Sequence, residues 1–197
     1  MQGSKRRNAI LASAAPIFNR RGFAGTSIAE ILEATALEKG GLYNHFASKE
    51  ELAIASFEYA WEAVNAHFKR CLAGVAPGAP ALHAYVDAFA RYVQRPVVDG
   101  GCPLANAALE ADDALPFLRD RVKDAFGKVR SFVRHHVQRA IEFGEFAAST
   151  EPETVADFTL AALEGAFLLA RGARSRRSMD RVAASLHAWL RTLEVPA

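Results

Sequence analysis

Residues 26–52 read TSIAEILEATALEKGGLYNHFASKEEL. Ser27 is followed three residues later by Glu30, and Ser48 by Glu51. Each pair has the spacing of a capping box, in which serine and glutamate side chains satisfy the open N–H groups at a helix start. Thr26 or Ser27 caps the first of these helices, and Ile28, Ile31 and Leu32 form its apolar stripe. Leu37 falls in a turn. Leu42 and Phe46 then share one face of a second short helix expected over about Glu38 to Phe46. Ser48 opens a longer helix running to about Cys71.

The outward set of the second short helix is Lys39, Gly40, Gly41, Tyr43, Asn44 and His45. Two adjacent glycines inside a short helix each cost about 1 kcal/mol relative to alanine. That cost has a use where the backbone must come close to a partner. Lys39 reaches a phosphate or a guanine edge, Asn44 an adenine or the backbone, and Tyr43 and His45 suit phosphate oxygens. Lys49, in the first turn of the next helix, combines its charge with open N–H groups in favour of a phosphate, and Thr26 and Ser27 do the same one helix earlier. A short helix braced by apolar residues and offering this surface fits the groove of double-stranded DNA.

Composition agrees. About half of the 197 residues are hydrophobic, enough for a substantial core, and the net charge is only +2. Residues 1–50 hold seven basic and four acidic side chains, so the excess positive charge is concentrated at the N-terminal end. A local bias of this sign suits a polyanion. The opening MQGSKRRNAILASAAP loosely imitates a signal peptide, but its apolar run is short and alanine-rich. Ile10, Ala14 and Phe18 instead recur at helical spacing. No run has the length of a membrane span, so no membrane partner is expected. Two cysteines, Cys71 and Cys102, make neither a disulfide framework nor a metal spacing, and a reducing cytoplasm is the expected location.

Helical period continues through the rest of the chain, with no strand alternation. Further helices are expected from about Lys5 to Arg20, Ala81 to Gln94, Pro103 to Ala111, Asp113 to Phe143, Glu151 to Arg171 and Met179 to Leu193. The helix near residue 160 is apolar on more than one face, which points to oligomerisation through the last two helices. His135 and His136 are adjacent, point about 100° apart on a helix and cannot easily chelate one ion. No metal or cofactor is expected. No nucleophile–base constellation appears, which argues against an enzyme.

The stretch RRGFAGTSIAEILEATALEKGGLYNHFASKEEL, residues 20–52, resembles the N-terminal domain of the TetR/AcrR family of transcriptional regulators. Gly22, Phe23, Thr26, Leu42, Tyr43, His45, Phe46, Lys49, Glu50 and Leu52 carry the likeness. It departs in the turn, where Ala36-Leu37-Glu38 stands for the family's Gly-Val-Ser. Further on, GCPLANAALE resembles regulators of the LmrA/YxaF type and some electrophile sensors. The resemblance implies an all-α homodimer: an N-terminal three-helix helix-turn-helix domain over residues 1–47, then a larger ligand-binding and dimerisation domain over 48–197. It also implies a repressor that leaves a palindromic operator when a small molecule binds.

Two effector sites follow as expectations. One is a pocket lined by some of Phe57, Trp61, Phe89, Tyr92, Asn106, Phe126 and Phe167, suited to an aromatic or largely apolar molecule. The alternative is thiol sensing of electrophiles or oxidants by Cys102, which precedes Pro103 at a helix start, where the macrodipole favours a thiolate.

Overall fold

A computed structural model describes residues 2–111 and 115–196, Gln2 for its backbone alone. Among the described residues the chain is all-helical: α1 (Gln2–Arg21), α2 (Ile28–Thr35), α3 (Lys39–Tyr43), α4 (Lys49–Cys71), α5 (Ala79–Tyr92), α6 (Pro103–Ala111), α7 (Pro116–Glu142), α8 (Pro152–Gly172) and α9 (Arg177–Arg191). The expected start of the long helix at Asp113 lies outside the described residues. Packing divides the chain into two compact units, residues 1–65 with 96–125, and residues 66–95 with 126–197.

In the first unit, α1 buries Ile10, Leu11, Ala14, Ala15 and Phe18 against α2 and α6. Gly22 ends α1 with φ +83°, a left-handed turn that glycine adopts without steric cost. Glu110 on α6 pins that turn. Its Oε2 accepts from the main-chain N–H of Phe23 at 2.8 Å and of Ala24 at 3.0 Å. A second tie lies one turn earlier. Asn19, 5% exposed, donates its amide to the carbonyls of Asp99 and Gly101 at 2.9 and 3.0 Å. Gly100 passes so close that a Cβ there would meet the Asn19 carbonyl carbon at 2.7 Å.

In the second unit, α8 packs on α9 and both meet α5. Glu145 caps α5 from a distance, its Oε2 accepting from Ala79 N–H at 2.7 Å. The end of the chain pairs with the turn after α7: Ala147 N–H donates to Leu193 at 3.1 Å and Val195 N–H to Glu145 at 2.9 Å. A four-residue polar chain links α5, α9 and this tail. His83 Nδ1 and His187 Nδ1 lie 2.7 Å apart, while Glu194 meets His83 Nε2 at 3.1 Å and Asp87 meets His187 Nε2 at 2.9 Å.

Candidate nucleic-acid interface

The capping box at α2 forms in full, and the one at α4 forms in its serine half only. At α2, Ser27 Oγ accepts from Glu30 N–H at 3.3 Å and Glu30 Oε2 accepts from Ser27 N–H at 2.8 Å. Arg21 pairs with the same carboxylate group. Ser27 is the cap of α2, and its side chain is exposed. Thr26, assigned above to a phosphate, is 1% exposed and donates its hydroxyl to the Gly22 carbonyl at 2.6 Å. It braces the turn between α1 and α2 from inside. At α4, Ser48 Oγ accepts from Glu51 N–H at 3.1 Å, but Glu51 reaches one residue further back, accepting from Ala47 N–H at 2.7 Å. Glu50 sits in the same turn. Hydrogen bonding from its own backbone and then from Ser48 holds its carboxyl below the ordinary value. Of the N–H groups near this helix start, those of Ala47 and Glu51 are therefore already bonded, and Lys49 stands half-buried in the same turn.

The turn between α2 and α3 closes on Ala36, in the left-handed region at φ 51°. Its neighbour Leu37 donates N–H to Leu32 at 3.2 Å. Alanine bears at Ala36 a strain that glycine would not. Glu38 precedes α3 and makes no side-chain cap bond. The helix is shorter than its apolar spacing predicts. It spans Lys39–Tyr43, and Asn44 and His45 lie in the turn after it, where Asn44 N–H donates to Gly40 at 3.1 Å.

Ile31, Leu42 and Phe46, at 0–2% exposure, fill the inner side of this two-helix device. On the outer side Lys39, Gly40, Tyr43 and Asn44 are exposed, and Gly41 and His45 half-buried. The structure thus brings Lys39, Gly40, Gly41, Tyr43, Asn44 and His45 onto one short segment. Nothing lies within 4 Å of a Cβ built at Gly40, and at Gly41 only Leu37 Cδ2, at 3.5 Å. Neither glycine has positive φ. No clash and no backbone strain inside the chain demands glycine at either position.

The residues expected around an effector divide between the two units. Phe57, Trp61, Cys102 and Asn106 belong to the first; Phe89, Tyr92, Phe126 and Phe167 to the second. Asn106 is the clear correction. Its side-chain N–H groups donate to the main-chain carbonyl and side-chain oxygen of Asn19 and to the Gly100 carbonyl. They hold the 99–101 turn, and nothing in the residue's sequence context signals that use. Cys102 is 4% exposed and its carbonyl accepts Asn106 N–H at 3.1 Å, so it sits inside the same turn structure.

In the second unit Phe89 and Tyr92 join a larger aromatic group. Phe68 contacts Tyr85, Phe89 and Tyr92 at centroid distances of 5.3, 6.0 and 5.6 Å, and Tyr85 meets Phe132 at 5.4 Å. Phe68, Tyr85 and Phe132 are missing from the sequence-based set, although Tyr85, Phe89 and Tyr92 recur at helical spacing. His67 and His136 flank the group. Burial, with smaller repulsion from Arg70 and Arg91 at His67 and from His135 at His136, lowers the proton affinity of both rings. Among the described residues no group of three or more His, Cys, Asp or Glu side chains is placed to hold a metal ion. No described helix is long and apolar enough to cross a membrane.

Comparison with known proteins agrees with this geometry. Residues 10–55 match the family described as bacterial regulatory proteins, tetR family, and residues 78–186 match the tetracyclin repressor-like C-terminal domain. The chain belongs to the tetR family and is a helix-turn-helix, DNA-binding transcription regulator. It is similar to a TetR transcriptional regulator from Chloroflexus aurantiacus, with 38% identity, coverage of 100% of this chain and 99% of that one, and a TM-score of 0.95. The repressor DhaR of Mycobacterium sp. strain GP1 is 25% identical over 84% of this chain and 82% of its own length. A cysteine-substituted CifR, solved with a 26-base-pair double-strand operator, is 27% identical, with coverage of 94% of this chain and 95% of that one and a TM-score of 0.79.

Proposed function

We propose that this protein is a repressor that binds a palindromic operator as a homodimer and leaves it when a small, largely apolar or aromatic molecule binds. In this reading residues 1–47 contact DNA, residues 48–197 sense and dimerise, and the protein works in the cytoplasm. The observation that carries it is the outer face of α3. Lys39, Tyr43 and Asn44 are exposed around two glycines that no internal clash or strain requires. An approaching duplex explains that absence of side chains. The relatives support the same direction: CifR is solved with operator DNA, and DhaR is named a repressor.

Dimerisation through the last two helices is supported by α8, which leaves Phe158, Leu168 and Leu169 at 48%, 43% and 59% exposure. Phe158 and Leu169, eleven residues apart, lie within about 20° on one helix face. Gly165 between them has open space where a Cβ would be, which permits close helix approach. A two-fold dimer would read half-sites about 34–36 Å apart, or a multiple of that. The aromatic group around Phe89 and Tyr92 supports an effector with an apolar ring. Sensing through Cys102 has less behind it, because reactive cysteines are accessible and this one is 4% exposed.

The test is selection of duplexes from a random pool by the full-length protein, followed by binding assays at two salt concentrations. Enrichment of a palindrome whose affinity falls steeply with salt is expected. Failure to enrich any sequence overturns the proposal.

A further inference from the structure

The first acidic residue of the chain is Glu30, yet Lys5, Arg6 and Arg7 stand in the first two turns of α1. Cations there oppose the helix macrodipole, which is positive at that end. No acidic residue occupies the first turn, and among the described residues none of the three makes an ion pair. Lys5 and Arg6 are exposed. Arg7 is half-buried, and its guanidinium lies over the Phe46 ring, 4.7 Å from the centroid.

That contact fixes where the basic arm ends up. Phe46 closes the turn after α3, with Tyr43, Asn44 and His45 immediately before it. The opposite end of α1 is tied by Asn19 to residues 99–101. The start of α1 is therefore held beside the reading segment, and its other end is anchored elsewhere in the same unit. Residues 2–9 also precede the stretch that matches the family, which begins at residue 10.

We infer that Lys5 and Arg6 are a second DNA contact, gripping phosphates of the duplex that flank the bases met by α3, with Arg7 seated on Phe46 to set the arm's direction. This rests on the reading of α3 as the DNA-facing helix. The partner follows from charge complementarity and from continuity with that helix. Lysine and arginine side chains without anionic partners suit phosphate oxygens and carry no base preference of their own.

The experiment uses the full-length protein and the duplex it selects. Binding is measured over a series of salt concentrations for the parent, for the double variant Lys5→Gln/Arg6→Gln, and for a charge-matched control, Lys123→Gln/Lys128→Gln, at exposed sites on α7. Each phosphate contact contributes about 0.9 to the slope of log affinity against log salt. The arm variant should lose about 3.6 from the slope of a dimer, from about four contacts, and the control should lose little. Sequence preference should be unchanged, and hydroxyl-radical protection should retreat at the outer edges of the site. An unchanged slope, or an equal loss in the control, overturns the arm contact alone. A parent that selects no duplex overturns the reading of α3, and the arm contact with it.

Discussion

Asn106 on α6 donates its side-chain amide to both the main-chain carbonyl and the side-chain oxygen of Asn19 on α1, each at 2.9 Å. Asn19 in turn holds Asp99 and Gly101. The two asparagines thus fasten the end of α1, the 99–101 turn and α6 into one polar knot. Removing one partner takes hydrogen bonds away from part-buried acceptors, which costs about 1–3 kcal/mol. Asn106→Ala should lower the urea midpoint by a corresponding amount with the slope unchanged. A variant as stable as the parent would show that other bonds hold the turn.

Ala36 offers the converse case. A non-glycine residue in the left-handed region costs about 1–2 kcal/mol, and Ala36 has φ 51°. Glycine relieves that strain but adds freedom to the unfolded chain. Ala36→Gly should therefore stabilise the protein by up to about 1 kcal/mol, seen as a higher melting temperature. A lower one would refute the strain.

Gly40 and Gly41 separate stability from recognition. Since a Cβ at Gly40 meets nothing within 4 Å, alanine there should leave stability equal or raise it by up to about 1 kcal/mol. The same substitution should weaken operator binding about tenfold or more, about 1.4 kcal/mol, by holding the backbone off the duplex. Thermal unfolding and equilibrium binding on the same samples decide the matter. Intact affinity in Gly40→Ala and Gly41→Ala would remove the main argument for close approach.

His136 makes stability depend on pH. Burial first, and repulsion from His135 second, hold its ring below the ordinary histidine value of 6.5. At mildly acidic pH the unfolded chain then binds more protons than the folded one, so stability rises with pH. The contribution is fully present above 6.5 and is lost as pH falls towards the lower folded value. Unfolding free energies between pH 7.5 and about 5 should decline on acidification, and the decline should flatten in His136→Gln. An identical profile in the variant would assign the dependence to other groups.

The parts of this molecule that were legible from sequence depend on neighbours a few residues away. Ser27 with Glu30 and Ser48 with Glu51 are local bonds, so the starts of α2 and α4 could be read directly. Of the expected stripes, Ile31, Leu42 and Phe46 fill the inner side of the helix pair, because burial follows periodicity, while Ile28 and Leu32 are half-buried. The same periodicity overran the end of α3. Phe46 is buried, but it is reached through the turn at Asn44 and His45, since an apolar spacing of four marks a shared face and does not require unbroken helix.

Long-range polar bonds were out of reach. Glu110 meets Phe23 across 87 positions and His83 meets His187 across 104. No local pattern distinguishes such side chains from ordinary surface residues. Asn106 shows the consequence: its composition suits a ligand pocket, and its geometry makes it a structural tie. Thr26 does the same on a smaller scale, a hydroxyl read as outward that turns in to the Gly22 carbonyl. By itself, then, the sequence determined the helices, their caps and the short segment that offers Lys39, Tyr43 and Asn44, because hydrogen bonds and apolar stripes within one or two turns set these. Tertiary structure alone decided which polar side chains are used up inside the protein and which remain for a partner, because that choice depends on groups brought together only when distant helices pack.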